Sequence, residues 1–160
     1  MRPKSFLQSP VLAVFVAAVC AGCKIRVRTP PSALFAAVQR ADAARVKKLL
    51  EEGADPNRKE RTGWYPLHQA VYANAEIVTL LLDHGARVDV RVSRGPNQDN
   101  EWTPLHYAAY MNKPTAAEIL IARGADVNAK DIWGKRPLSY ARERGNQALV
   151  KLLADKGATE

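Results

Sequence analysis

Cysteine is scarce in this chain, and its placement limits how it can be used. The 160 residues contain two cysteines, Cys20 and Cys23, and both lie near the N-terminus. The rest of the chain has no thiol, so it cannot contain a disulfide framework. The Cys-x-x-Cys spacing does not indicate a redox site, because such a site needs a strand-to-helix context and this pair ends an apolar leader.

Motifs that usually carry catalysis are also missing. The sequence has no nucleophile elbow, phosphate-binding loop, dinucleotide fingerprint or zinc-ligand spacing. Low-complexity runs are missing as well, and the composition, with 47% hydrophobic and 25% charged residues, is that of a globular chain. The length suits about one domain. We therefore predict no catalytic residue, no metal ligand and no cofactor.

The first 23 residues differ from the rest and predict an export signal. Arg2 and Lys4 supply positive charge, and an unbroken apolar run follows at 11–19. The run is short for a membrane span, which needs about 20 apolar residues. Basic, then apolar, then small residues are typical of a secretory signal, so residues 1–22 are assigned to a signal peptide and excluded from the fold.

Ala21-Gly22-Cys23 resembles a bacterial lipobox, in which the cysteine becomes the lipidated N-terminus. The resemblance implies lipidation of Cys23 and, from Lys24 after it, sorting to the outer membrane. Residues 23–31 would then be a basic, proline-containing linker between lipid and domain. Cys20 replaces the usual large apolar residue, so cleavage after Ala21, giving a soluble periplasmic protein, and a retained anchor remain alternatives.

A tandem repeat fills the remainder of the chain. Its strongest copy is WTPLHYAA at 102–109, and weaker copies occur at 64–71 and 136–141. Each copy runs on to a second apolar segment that ends in Gly-Ala. Leu67, Leu105 and Leu138 are 38 and 33 residues apart. A period near 33 built on T-P-L-H indicates a repeat architecture.

Each copy reads as a pair of helices. Thr103 can cap a helix with its hydroxyl, and Pro104 suits the first helical position, where a missing N–H costs nothing. Ala108 and Ala109 are small enough for close helix packing. Gly85 supplies the left-handed residue that ends a second helix. One such pair cannot bury its own apolar face, whereas stacked copies can.

The T-P-L-H and Gly-Ala-Asp-Val-Asn motifs resemble those of ankyrin repeats, over about residues 32–160. The resemblance implies an all-α solenoid of four helix-turn-helix repeats with hairpin fingers, at about 32–61, 62–99, 100–132 and 133–160. The second repeat lacks one residue near Asn74, and six extra residues within 91–100 predict a longer finger. The resemblance gives His68 and His106 structural roles in bonding the neighbouring backbone.

Aromatic residues fall where ankyrin proteins have finger tips and concave-face positions. The predicted partner-binding residues are Trp64, Tyr72, Trp102, Tyr110, Met111, Ile132, Trp133, Lys135 and Arg144. Exposed Trp, Tyr and Arg often contribute most of the binding energy at interfaces. The alternative is that each indole packs on the neighbouring finger and stiffens the row of hairpins.

These features predict an exported, monomeric protein-interaction module rather than an enzyme. Its partner would be a periplasmic or envelope protein, and the chain would serve as an inhibitor, an immunity protein or an enzyme accessory. Basic residues near the fingers favour an acidic protein, while the export signal argues against nucleic acid. The alternative is an envelope structural protein that contacts only the membrane, through Lys24, Arg26 and Arg28.

Overall fold

The computed structural model describes residues 32–92 and 100–159. The predicted signal peptide, the lipidation site Cys23, the linker and most of the predicted longer finger lie outside the described residues. The described part contains eight helices and no strand. The helices are α1 (Ala33–Gln39), α2 (Ala43–Glu51), α3 (Pro66–Ala73), α4 (Ala75–Asp83), α5 (Pro104–Tyr110), α6 (Pro114–Ala122), α7 (Pro137–Glu143) and α8 (Gln147–Asp155).

The helices form four pairs stacked in two rows. The first helices of the pairs, α1, α3, α5 and α7, pack side by side, and so do α2, α4, α6 and α8. One apolar cluster runs through all four pairs, with Leu67, Leu105, Leu138 and Leu149 almost fully buried. Burying one such side chain contributes roughly 1.5–3 kcal/mol. The predicted all-α solenoid of helix-turn-helix repeats is confirmed.

The start of α5 shows why the T-P-L-H motif begins a helix. The Thr103 hydroxyl accepts a hydrogen bond from the His106 backbone N–H, and the Thr103 N–H donates to His106 Nδ1 at 3.2 Å. Pro104 holds the first helical position. Helix α3 has Tyr65 in place of the threonine and no side-chain cap. Its buried histidine, His68, has no partner for Nδ1 among the described residues.

Tyr65→Thr should therefore stabilise the fold. A threonine hydroxyl at this position could cap α3 and reach His68 Nδ1, as Thr103 does for His106, and an N-cap hydroxyl contributes about 1 kcal/mol. Urea unfolding should show a gain of that size. Tyr65→Val is the matched control, since valine has the same shape without the hydroxyl. An equal gain from valine would contradict the explanation.

The second repeat joins its helices differently from the others. Three of the pairs are linked by three residues that include a left-handed one: Ala41 (φ 55°), Asn112 (φ 53°) and Gly145 (φ 71°). Only Asn74, in an extended conformation, separates α3 from α4. Its N–H donates to the Ala70 carbonyl, and its Oδ1 accepts from the Glu76 N–H. The missing residue predicted near Asn74 is confirmed, and one asparagine caps both helices.

Asparagines in the loops after the second helices tie one repeat to the next. Asn57 Nδ2 donates to the Gly85 carbonyl at 2.9 Å, while its Oδ1 accepts from the Arg87 N–H at 2.8 Å. Asn128 makes the same pair of contacts with the Gly157 carbonyl and the Thr159 N–H. Gly85 adopts a left-handed conformation (φ 86°), as predicted for the residue that ends α4.

Within residues 32–92 and 100–159, no helix has both the length and the apolar composition needed to span a bilayer.

Candidate functional site

The finger at 131–135 is organised by one buried carboxylate. Asp131 is 6% exposed, and its Oδ1 accepts hydrogen bonds from the backbone N–H groups of Trp133 and Lys135, both at 2.9 Å. The Asp131 N–H donates to the Lys135 carbonyl, and the Gly134 N–H donates to the Asp131 carbonyl, which closes the turn. The turn carries Ile132 and Trp133 outward, where their side chains are 51% and 62% exposed.

Trp102 is buried, although its position in the repeat predicted an exposed side chain. The expectation that its side chain is exposed is wrong, because only 9% of it is accessible. Its indole Nε1 donates to Asp131 Oδ2 at 3.2 Å, and its ring packs edge-on against Tyr107 and Tyr140, with centroids 4.9 and 4.7 Å away. Trp102 therefore links the third repeat to the finger of the fourth and offers little surface to a partner.

Trp64 occupies an intermediate position. Its side chain is partly buried, and its ring lies against Tyr107 with a centroid distance of 5.0 Å. Trp64, Tyr107, Trp102 and Tyr140 thus form an aromatic row that crosses the last three repeats. The alternative prediction, that each indole packs on the neighbouring finger and stiffens the row, holds for Trp102 and partly for Trp64. It does not hold for Trp133, whose side chain is exposed.

The C-terminal ends of α5 and α7 line an open pocket of about 330 Å³, here called the α5–α7 pocket. It is lined by Tyr110, Met111, Asn112, Glu143, Arg144 and Asn146. The structure thus brings together Tyr110, Met111 and Arg144, which the sequence had placed on one surface. The Arg144 guanidinium lies over the Tyr110 ring, with Cζ 4.6 Å from the centroid, in a cation–π contact.

Tyr72 belongs to the same surface. It lies on α3 at the position that Tyr110 occupies on α5, and these two helices are adjacent. Its side chain is 58% exposed. The remaining predicted residue, Lys135, is already paired: its Nζ lies 2.5 Å from Glu143 Oε1 and 5.4 Å from the Tyr140 ring centroid. Both partners are about half exposed, so the pair contributes at most about 1 kcal/mol.

Sequence reasoning missed three residues of this region: Asn112, Asn146 and Asp131. Asn146 is buried and donates through Nδ2 to the Ala109 carbonyl at 2.9 Å, which fixes the α7–α8 link against α5. Asp131 could have been found, because Asp-x-x-Gly at 131–134 is a turn signal in which the carboxylate bonds the N–H two residues on.

The predicted structural role of two histidines is confirmed. His68 Nε2 lies 3.0 Å from the Trp102 carbonyl, and His106 Nε2 lies 3.2 Å from the Lys135 carbonyl. In His106, Nδ1 accepts from the Thr103 N–H, so Nε2 carries the proton and the ring is neutral. Burial lowers the pKa of His68 to about 4 and also lowers the pKa of His106. Each histidine bonds the finger of the following repeat.

Burial also governs Tyr140, whose hydroxyl donates to Asp131 Oδ2 at 2.6 Å. Burial first, and this hydrogen bond second, raise the pKa of Tyr140 above its usual value. Asp131 therefore receives donors from three segments: its own finger, Trp102 and Tyr140. In the part of the chain that the structure describes, no group of three or more His, Cys, Asp or Glu side chains is arranged to bind a metal.

Comparison with known protein families agrees with this architecture. A family model described as ankyrin repeats (3 copies) matches residues 13–92, 33–131 and 92–160. The chain belongs to the ankyrin-repeat family. Ankyrin repeats mediate protein–protein interaction, and the stacked helix pairs of this chain have the architecture of such repeats.

Its curated relatives are ankyrin proteins of diverse size. The chain is 32% identical to cyclin-dependent kinase 4 inhibitor B of Mus musculus, across 75% of this chain and 88% of that protein. It is 36% identical to neurogenic locus notch homolog protein 1 of Xenopus laevis, across 83% of this chain and 5% of that protein. It is 49% identical to 2-5A-dependent ribonuclease of Mus musculus, across 47% of this chain and 10% of that protein.

Proposed function

We propose that this ankyrin-repeat protein is exported, anchored to the outer membrane through lipidated Cys23, and binds a periplasmic or envelope protein with its concave face. It acts by binding rather than by catalysis, as an inhibitor or immunity protein of an enzyme or as an accessory protein of one. The export pattern of residues 1–22 supports the location, and the ankyrin family supports the binding role.

One observation in particular supports this binding surface. Within the described residues, three large hydrophobic side chains are more than half exposed, and all three, Tyr72, Ile132 and Trp133, belong to the set predicted from sequence. Ile132 and Trp133 are neighbours at the tip of one finger, and large apolar side chains exposed side by side often mark an interaction site. Trp and Tyr are also among the residues that contribute most at interfaces.

The buried aromatic row explains how this surface would bind without reorganising. Trp102 and Tyr140 hold Asp131, and Asp131 fixes the turn that presents Trp133. A finger that is already ordered loses little conformational entropy when it contacts a partner. Basic side chains would speed the approach of an acidic protein, since the formal net charge is +8 for the whole chain and +6 once Arg2 and Lys4 are removed with residues 1–22.

Trp133→Ala should abolish most of the recovery of the partner from an envelope extract. An interface tryptophan of this kind contributes about 2 kcal/mol or more, which corresponds to roughly thirty-fold in affinity. Quantitative mass spectrometry of the captured proteins would measure the loss. The fold should be retained, since the Trp133 side chain is 62% exposed.

Lys151→Ala on α8 provides the matched control, because Lys151 is exposed and lies on the other row of helices. It should leave recovery unchanged. Equal recovery by the Trp133 variant and the wild type would contradict the proposed surface. That result would favour the alternative, an envelope structural protein whose contact is with the membrane.

The proposed export also predicts the chemical state of the mature N-terminus. Mass spectrometry of the chain isolated from the producing cell should find that residues 1–22 have been removed and that Cys23 carries acyl groups. Several acyl chains would anchor the protein stably, whereas a single chain binds only marginally. A free Gly22 at the N-terminus would contradict lipidation and indicate a soluble periplasmic protein.

A further inference from the structure

The α5–α7 pocket holds a positive charge that the described chain does not neutralise. Among the described residues, Arg144 makes no ion pair, and its guanidinium is held over the Tyr110 ring. The neighbouring carboxylate, Glu143, is already bound to Lys135 Nζ at 2.5 Å. The pocket therefore offers one available cation on an aromatic platform.

The walls of the pocket suit a short side chain with an apolar stem. Tyr110 and Met111 supply apolar surface, while Asn112 and Asn146 add amide groups. Asn146 is anchored to the Ala109 carbonyl, so the floor between α5 and α7 is fixed before any ligand arrives. A fixed site keeps more of its interaction energy as affinity.

We infer that the α5–α7 pocket binds an aspartate or glutamate side chain of the partner protein, with the carboxylate on Arg144 and the methylene groups against Tyr110 and Met111. The inference rests on the proposed function and adds the chemistry of the partner. A planar guanidinium can bind a carboxylate through two parallel hydrogen bonds, and this geometry selects for an acidic residue.

The charge arrangement disfavours nucleic acid at this pocket. Binding to a phosphate backbone relies on several Lys and Arg side chains acting together. Here a single guanidinium is available, since the Lys135 ammonium near the pocket is already paired with Glu143. A single carboxylate matches the one charge that is available.

The sequence supplies a well-isolated probe of the pocket. The chain has two methionines, Met1 and Met111, so methyl labelling of methionine gives a signal that reports directly on the pocket. The full mature chain would be titrated with an acetylated and amidated peptide in which one glutamate is flanked by leucines. The same peptide with glutamine is the comparison, since it differs only in charge.

The Met111 methyl signal should shift with the glutamate peptide and respond much less to the glutamine peptide. Arg144→Gln should weaken the glutamate response by about tenfold or more, since it removes the charge partner. Arg45→Gln is the matched control: Arg45 is exposed on α2, away from the pocket, and its loss should leave the titration unchanged.

An equal response to both peptides, or an unchanged titration of the Arg144 variant, would overturn the inference. So would a stronger response to a single-stranded oligonucleotide than to the glutamate peptide. Partner recovery separates this inference from the proposed function. If recovery falls with Trp133→Ala but is unaffected by Arg144→Gln, the binding surface stands and the carboxylate pocket is wrong.

Discussion

Replacing Asp131 with alanine should lower the free energy of unfolding by about 4 kcal/mol, because it leaves two buried and two partly buried donors without an acceptor. Two are the backbone N–H groups of Trp133 and Lys135, and two are the Trp102 indole and the Tyr140 hydroxyl. A buried donor without a partner costs roughly 1–3 kcal/mol, and water entering at the finger would reduce the sum.

Two further variants make the Asp131 prediction specific. Asp131→Asn keeps an oxygen for the two backbone donors but turns an N–H₂ group toward the Trp102 indole, so it should cost less, about 2 kcal/mol. Asp155→Ala, on an exposed residue of α8, should change stability by less than about 0.5 kcal/mol. Urea unfolding monitored by circular dichroism measures all three. Equal stabilities for the Asp131 and Asp155 variants would show that the finger is held by other contacts.

The sequence was sufficient to predict the repeat scaffold because its signals are local. Thr103 and Pro104 begin a helix, Gly85 ends one, and a count of residues locates the missing position at Asn74. Each of these features depends on residues within a few positions of one another. The apolar period then requires stacking, since no pair can bury its own face.

Trp102 shows where local reasoning is insufficient. Trp64 and Trp102 share one register, yet one is partly exposed and the other is buried. The difference comes from the fourth repeat, which supplies Asp131 and Tyr140 to cover the Trp102 ring. A sequence pattern gives the position of a side chain within a repeat, whereas its burial depends on what the next repeat contributes.

The second repeat departs from the T-P-L-H pattern at Tyr65, and this affects both the cap of α3 and the surroundings of His68. Tyr65 removes the hydroxyl that would cap α3, and the histidine Nδ1 is left buried without a described partner. His106, in the third repeat, has that partner in Thr103. His68 is therefore buried with one ring nitrogen that has no described partner, and its burial makes protonation unfavourable in the folded chain.

Lowering the pH from about 6.5 to 4 should reduce the free energy of unfolding by roughly 3 kcal/mol through His68 alone, at about 1.4 kcal/mol per pKa unit. Burial lowers the pKa of His68 from 6.5 to about 4 in the folded chain. Between these values the unfolded chain binds a proton that the folded chain excludes. Stability is therefore complete above about pH 6.5 and declines as the pH falls toward 4.

Two other groups shape the same profile, so the test must isolate His68. His106, whose pKa burial also lowers, adds a loss of the same sign, whereas burial raises the pKa of Asp89 and opposes it at the acid end. His68→Gln keeps a donor for the Trp102 carbonyl and cannot titrate. Urea unfolding of both chains from about pH 7 to pH 4.5 should give a steeper decline for the wild type. Parallel curves would mean that His68 binds its proton equally in the folded and unfolded chains, which a ring enclosed between α3 and the third repeat's finger should not do.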